Sequence, residues 1–120
     1  MKSTKSTIQK GKQAETIAIQ YFNHQGFVKQ AQNYRFQKAE IDLIVQKKDL
    51  LLFIEIKSRN TTKFGYAETF CKPKQQGLYQ IAASQYIQNT AWQGQVRFDI
   101  IAIHHHNKKI DLAHFQDAFY

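Results

Sequence analysis

Two acids and a lysine lie inside stretches that otherwise predict buried β-strands. Asp42 lies in the apolar run 40–46, and Glu55 and Lys57 lie in the β-branched and aromatic run 50–58. A charged group inside such a strand is costly to bury unless a partner or a bound ion compensates it. Carboxylate oxygens suit Mg²⁺ or Mn²⁺ better than zinc, so this spacing predicts a divalent metal held beside a phosphodiester.

The polar residues between the two runs predict an antiparallel hairpin. If Lys48 and Asp49 form a two-residue loop, paired residue numbers sum to 97 and Asp42 lies opposite Glu55. Lys57 lies two residues farther along the same face. An odd loop length would shift the register by one residue and separate these groups.

Two adjacent carboxylates repel each other, and either a proton on one of them or a divalent cation between them would remove the penalty. The alternative interpretation is an ordinary surface face on which acids pair with lysines, such as Glu40 with Lys57. In the first strand, Glu40, Asp42 and Ile44 are predicted to share one face. Ile41, Leu43 and Val45 are predicted to share the other.

The rest of the chain predicts an α/β fold in the order α-β-β-β-α-β. Helical spacing covers Lys10 to Phe22 and continues from Pro73 to about Gln88, where Leu78 and Ile81 belong to the predicted apolar stripe. A weak strand is predicted at 27–36 and a strong one at 96–103, whereas 110–120 is ambiguous. We expect one domain over 1–120, with 1–9 as a flexible leader.

Composition restricts the partners of the chain. Its 120 residues include 17 Lys and Arg against 9 Asp and Glu, giving a formal charge of +8, which favours a nucleic acid partner over an anionic membrane surface. A single cysteine, Cys71, excludes an internal disulfide and fits a cytoplasmic protein. The sequence has no apolar run long enough to span a membrane.

Several motifs, taken in order, resemble a known family. They are Gly11-Lys12-Gln13-Ala14-Glu15, Asn33-Tyr34-Arg35, Ala39-Glu40-Ile41-Asp42-Leu43-Ile44, Phe53-Ile54-Glu55-Ile56-Lys57-Ser58-Arg59, Phe64-Gly65 with Glu68, Lys74, and Arg97-Phe98-Asp99. This pattern is similar to the YraN-like family of small bacterial proteins, which resemble Holliday-junction resolvases and restriction-endonuclease-like nucleases. Ala39 departs from the glycine that is usual in the family at that position.

The resemblance implies a restriction-endonuclease-like core, with a mixed central sheet flanked by helices, and a Mg²⁺- or Mn²⁺-dependent nuclease acting on DNA, including branched or unusual DNA. It implies Asp42, Glu55 and the backbone carbonyl of Ile56 as metal ligands, Lys57 as the group that orients the attacking water, and Glu15 as a further ligand, direct or through water. By analogy with resolvases it also implies a homodimer.

Basic side chains around these positions are expected to hold a nucleic acid backbone, with DNA favoured over RNA: Arg35, Lys38, Arg59, Lys63, Lys72 and Lys74. Two alternatives stay open, a catalytically inactive nucleic-acid-binding protein of the same fold and a small structural or adaptor protein. His104-His105-His106 is interpreted as a solvated strand end rather than a zinc site. Asp99 is expected to pair with an arginine or with the first helix.

Overall fold

The computed structural model describes residues 4–59, 73–106 and 108–118, and side chains are described from residue 11 onward except that of His106. Two helices and five strands make up these ranges. In chain order they are α1 (Thr4–His24), β1 (Val28–Phe36), β2 (Ala39–Lys47), β3 (Leu50–Arg59), α2 (Pro73–Thr90), β4 (Gln95–His106) and β5 (Lys109–Phe115).

The strands form one mixed sheet in the order β1-β2-β3-β4-β5. β3 and β4 run parallel, and the other three neighbouring pairs run antiparallel. One end of the sheet, here called the near end, therefore contains the β1–β2 turn, the last residues of β3 and the β4–β5 turn. The opposite far end contains the β2–β3 turn.

The two helices cover opposite faces of the sheet, because successive residues of a strand point to opposite sides. On the α1 face, Ala14, Ala18 and Phe22 pack with Leu52 and Ile54 of β3. On the α2 face, the buried cluster is Ala39, Ile41, Ile44, Leu51, Phe53, Ala82 and Ala83. The strand β3 is thus buried on both sides, and its predicted alternation is confirmed.

The predicted hairpin register is also confirmed. Lys47 pairs with Leu50 and Leu43 pairs with Ile54, so paired numbers sum to 97 along the described ladder. Lys48 closes the turn at a φ of 55°, a left-handed conformation that an L-residue adopts at some cost. The turn therefore forms without the glycine or asparagine that hairpins of this length prefer.

A buried polar cluster ties β5 and α1 to the sheet. Asp99 is fully buried, and its carboxylate accepts two hydrogen bonds of 2.9 Å from the Arg97 guanidinium. Its second oxygen lies 2.7 Å from Nε2 of His114, whose Nδ1 lies 2.9 Å from the Tyr21 hydroxyl on α1. The expectation that Asp99 pairs with an arginine is confirmed. Its link to the first helix runs through His114.

Burial raises the pKa of Asp99, but hydrogen bonds from His114 and Arg97 outweigh it, and the net pKa is lowered. The carboxylate therefore stays ionised inside the protein. Removing one partner would leave a buried charge uncompensated, which is strongly destabilising.

Several sequence-based expectations are corrected. α1 begins at Thr4, so residues 4–9 of the predicted leader are helical, and residues 1–3 lie outside the described part. The ambiguous segment after residue 108 forms β5, a strand added to the predicted order. β5 continues the sheet beyond β4, so His104 is buried at 3% exposure, whereas we expected it to be solvated.

Two apolar side chains also differ from their predicted positions. Ile41 packs in the α2 cluster with Ala39 instead of sharing a face with Leu43. The ladder between β2 and β3 begins only at Leu43, so Ile41 lies where the two strands are no longer paired. Ile81 is 49% exposed instead of lying in the apolar stripe of α2. No helix in residues 4–24 or 73–90 is long and apolar enough to cross a membrane.

Gly94 is required by a close backbone approach at the far end. A Cβ added there would lie 2.3 Å from the carbonyl oxygen of Asp49, which also accepts a hydrogen bond from the Gln95 amide. A Cβ added at Gly77, in α2, would meet no atom within 4 Å. We therefore expect Gly94→Ala to lower the free energy of unfolding by about 2–4 kcal/mol.

Gly77→Ala is the matched control, and it should raise the free energy of unfolding by roughly 0.5–1 kcal/mol because alanine favours the helix. Urea unfolding of both variants measures the two changes. Equal stability of the two variants would contradict the described packing of the Trp92–Gln95 turn.

Candidate active site

The site is built where β2 and β3 separate. Their ladder ends at Leu43 and Ile54, although β3 continues to pair with β4 as far as Arg59. In a continued ladder Ile41 would pair with Ile56, but the Ile56 amide instead donates a 2.8 Å hydrogen bond to Oδ2 of Asp42. The Asp42 side chain thus takes the place of a backbone carbonyl. We call the opening between the two strands beyond this point the fork.

The backbone carbonyl of Ile56 belongs to the same opening. In an antiparallel ladder a residue directs its N–H and its C=O toward the same neighbouring strand. Because the Ile56 N–H points at Asp42, its C=O faces the fork as well. The fork therefore combines a carboxylate with a backbone carbonyl oxygen.

Glu55 lies next to Asp42 and is held from two directions. Its Oε2 accepts a hydrogen bond from the hydroxyl of Tyr79 on α2 and lies 3.6 Å from Nζ of Lys57. Its charge also acts on the neighbouring carboxyl of Asp42. The side chains of Glu55 and Lys57 are only 11% and 15% exposed, so water screens their interaction weakly.

The pKa of Asp42 is raised to about 9. Desolvation by burial is the largest cause, and the adjacent Glu55 also contributes. The Ile56 amide acts in the opposite direction, because it stabilises the ionised form. Asp42 therefore keeps its proton at neutral pH when no cation is bound.

This chemistry fits a divalent cation. Two adjacent carboxyl groups, one backbone carbonyl and a low exposure supply hard oxygen ligands at a position where ionisation is otherwise opposed. A bound cation would take the place of the Asp42 proton and offset the charges of both carboxylates. Among residues 11–59, 73–105 and 108–118, the structure shows no group of three or more His, Cys, Asp or Glu residues placed to hold a metal.

Glu15 is not brought to the fork. Its Oε1 accepts a 2.8 Å hydrogen bond from the side-chain amide of Gln32 on β1. The carboxylates whose charges act on Asp42 are Glu55 and Glu40. The structure thus assembles Asp42, Glu55 and Lys57 as the sequence predicted and leaves Glu15 in a contact of its own.

The predicted nucleic-acid-binding residues occupy different surroundings. Arg35 is 78% exposed and forms a 2.6 Å ion pair with Glu40, which therefore does not pair with Lys57 as the surface interpretation expected. Lys38 is exposed in the β1–β2 turn, and Arg59 is half-buried at the end of β3. Lys74 is exposed in the first turn of α2, and Lys63 and Lys72 lie outside the described residues.

Tyr79 is the site residue that the sequence analysis missed. It follows Leu78, which belongs to the predicted apolar stripe, and its aromatic ring gave no sign of a polar role. The signal was available in the helical spacing, because Gln76, Tyr79, Ala82 and Ala83 line the inner face of α2. A buried tyrosine hydroxyl needs a hydrogen-bond partner, and the inward carboxylate of Glu55 is that partner.

The mixed sheet between two helices, with paired carboxyl groups where two central strands separate, defines a restriction-endonuclease-like core. A family model described as "Uncharacterised protein family UPF0102" matches residues 14–103. The chain therefore belongs to the UPF0102 family, and the resemblance to the YraN-like proteins is confirmed.

Relatives from several bacteria match most of the chain. The UPF0102 proteins of Flavobacterium psychrophilum and Christiangramia forsetii are 36% and 37% identical over 110 residues, which cover 92% of this chain and 92% of each relative. The UPF0102 protein of Natranaerobius thermophilus is 38% identical over 114 residues, covering 92% of this chain and 96% of the relative.

The raised pKa of Asp42 predicts how stability depends on pH in the absence of metal. Below about pH 4 the carboxyl is protonated in both the folded and the unfolded state. Between about pH 4 and 9 only the folded state keeps the proton, so its stabilising contribution is lost progressively as pH rises. Asp42→Asn removes this dependence, since an amide can accept from the Ile56 N–H and donate to Glu55 without ionising.

With EDTA present, we expect Asp42→Asn to be more stable than the wild type at pH 8 by about 2 kcal/mol and nearly equal to it at pH 4. Thermal unfolding across this pH range measures the difference. A variant less stable than the wild type at pH 8 would show that the ionised carboxylate is well satisfied without a cation.

Proposed function

We propose that this protein is a metal-dependent nuclease that hydrolyses DNA phosphodiesters. The observation that carries the proposal is the pair of carboxyl groups at the fork: the Ile56 amide holds Asp42, the Tyr79 hydroxyl holds Glu55, and Lys57 lies beside Glu55. An ordinary surface face does not explain this arrangement, because the side chains of Glu55 and Lys57 are only 11% and 15% exposed and burial opposes the ionisation of Asp42. The formal charge of +8 supports a polyanionic substrate.

The residues that would hold Mg²⁺ or Mn²⁺ are Asp42, Glu55 and the backbone carbonyl of Ile56. When bound, such a cation polarises a phosphoryl oxygen and lowers the pKa of a nearby water. Tyr79 fixes one oxygen of Glu55, and the Ile56 amide fixes one oxygen of Asp42, so both carboxyl groups are oriented before any ligand arrives.

Lys57 is the cationic group of the proposed reaction. Hydrolysis forms a bond between the oxygen of water and phosphorus, breaks one backbone P–O bond, and returns a proton to the departing oxygen. Negative charge grows on the phosphoryl oxygens as the new bond forms, and the Lys57 ammonium, 3.6 Å from Glu55, would offset it or orient the water. The exposed cations Lys38 and Lys74 would bind phosphates without reading the base sequence.

The direct test is cleavage of linear, single-stranded, flapped and four-way-junction DNA, with Mg²⁺ or Mn²⁺ and with EDTA. We expect cleavage of at least one of these DNAs that depends on the cation. Asp42→Asn and Glu55→Gln should each lower the cleavage rate by at least about a thousandfold, because each removes a proposed ligand.

Glu15→Gln is the matched control, since it replaces a carboxylate that bonds Gln32 outside the fork. It should retain cleavage within about threefold. Cleavage that survives in the Asp42→Asn and Glu55→Gln variants would show a contaminating nuclease and remove the proposal. Tight DNA binding by the wild type with no cleavage under any of these conditions would instead favour the inactive binding protein.

Tyr79→Phe tests whether the orientation of Glu55 matters. It removes the hydroxyl that donates to Glu55 and keeps the aromatic ring on the inner face of α2. The cleavage rate should therefore fall by about tenfold, and the cation concentration required for cleavage should rise. Tyr86→Phe makes the same change on the same helix, where the ring packs edge-on against Tyr34. If both variants cleave equally, Tyr79 has only a packing role.

A further inference from the structure

Positive charge is gathered at the near end of the sheet on both sides of the fork. On one side, the β1–β2 turn contains Lys38, and on the other side the β4–β5 turn contains Lys108 and Lys109. Lys57, at the end of β3, lies between the two turns because β3 is the central strand. The two lysines of the β4–β5 turn were not among the residues assigned to nucleic acid from the sequence.

The register shows how far the β4–β5 turn projects. Arg59, the last residue of β3, pairs with His104, and the ladder between β4 and β5 continues for two more residues to His106 and Lys109. Two residues of strand correspond to about 7 Å. The β4–β5 hairpin therefore extends past Arg59, on the side of β3 that is opposite the fork.

The spacing of the two turns suits a broad ligand. One turn lies between β1 and β2, and the other lies between β4 and β5, so three strand intervals separate them. At about 4.8 Å for a paired interval this is at least roughly 14 Å, because β2 and β3 are no longer paired at this end, and it exceeds the ~12 Å width of the major groove of B-DNA. A duplex presents rows of phosphates on both sides of a groove, whereas a single strand presents one row.

One acid lies near the exposed lysines on each side of the near end. On the β1–β2 side, Glu40 forms an ion pair with Arg35 at 2.6 Å, which leaves Lys38 as the exposed lysine of that turn. On the β4–β5 side, Asp111 faces His104 across the ladder, two residues away from Lys109. Lys108 and Lys109 are both exposed.

The far end offers an internal comparison. It also has two consecutive lysines in a hairpin turn, but Nζ of Lys47 donates a 2.8 Å hydrogen bond to the backbone carbonyl of Gln25 and lies 5.8 Å from the centroid of the Phe27 ring. Asp49 follows directly in that turn. Lys47 thus has a structural contact, and Asp49 directly follows Lys48 in the sequence.

We propose that Lys108 and Lys109 bind the phosphate backbone of a nucleic acid duplex, on the side of the fork opposite Lys38. The proposal rests on the proposed nuclease function and adds the substrate class, which is double-stranded nucleic acid that reaches across the near end of the sheet. The contacts are to phosphate, so they add affinity without base specificity and weaken as salt increases.

Lys108→Glu and Lys48→Glu form a matched pair for the test. Both lysines are exposed in hairpin turns and adopt positive φ, 63° and 55°, and both substitutions change the net charge by the same amount. Binding of a 30-base-pair duplex is measured in EDTA, so that no cleavage is needed, over a range of salt concentrations. The single strand of the same length is measured in parallel.

We expect Lys108→Glu to weaken duplex binding about tenfold and to reduce its salt dependence by the equivalent of about one phosphate contact. Lys48→Glu should change the duplex affinity less than twofold. Lys109→Glu should behave like Lys108→Glu, and it serves as a second variant if Lys108→Glu is unstable. The wild type should bind the single strand more weakly than the duplex, and Lys108→Glu should weaken single-strand binding by a smaller factor.

Equal effects of Lys108→Glu and Lys48→Glu would overturn the proposal, since only the total charge would then matter. A single strand that binds as tightly as the duplex, with the same loss in the variants, would overturn the substrate class. If Lys108→Glu selectively loses duplex binding but the wild type cleaves no DNA, the binding proposal holds and the proposed nuclease function fails.

Discussion

Two carboxyl groups that lie side by side in a weakly hydrated opening of the sheet are the constraint on which the rest of the site depends. β2 and β3 keep their ladder as far as Leu43 and Ile54, and then Asp42 takes over the hydrogen bond that a backbone carbonyl would have accepted. This exchange opens the fork and also places Asp42 against Glu55. The surrounding elements hold an arrangement that would otherwise be repulsive.

The neighbouring elements hold that arrangement in place. α2 supplies the hydroxyl of Tyr79, β3 supplies both the Ile56 amide and Lys57, and β4 keeps β3 in place where β2 has left it. In the absence of a cation this geometry has a cost, because desolvation opposes the ionisation of Asp42. A site that is preorganised in this way sacrifices some stability to keep its side chains in position.

The sequence predicted the part of the site that depends on local pairing. A two-residue turn fixes the register of a hairpin, and the alternation of β3 fixes which of its side chains face α2, so the neighbouring positions of Asp42, Glu55 and Lys57 followed from residue numbers. Ile41 was assigned to the wrong face because strict alternation was assumed to continue past the point where the ladder ends. Periodicity cannot reveal where two strands separate.

Contacts between elements that are distant in the chain were not predictable in the same way. Tyr79 meets Glu55 only because α2 packs across that face, and His114 meets Asp99 only because β5 adds to the sheet. His104 was expected in solvent, since a polar run after an apolar strand usually marks its end, and β5 buried it instead. In each case tertiary packing decided the environment of a side chain whose own segment gave an ambiguous pattern.

The measurement that tests the account most directly is calorimetric titration of the protein with Mn²⁺ at pH 7, repeated in buffers of different ionisation enthalpy. If the cation replaces the proton on Asp42, binding should release about one proton per cation, and Asp42→Asn should abolish both the binding and the release. Binding without proton release, or binding that persists in Asp42→Asn, would contradict the assignment of the fork as the metal site.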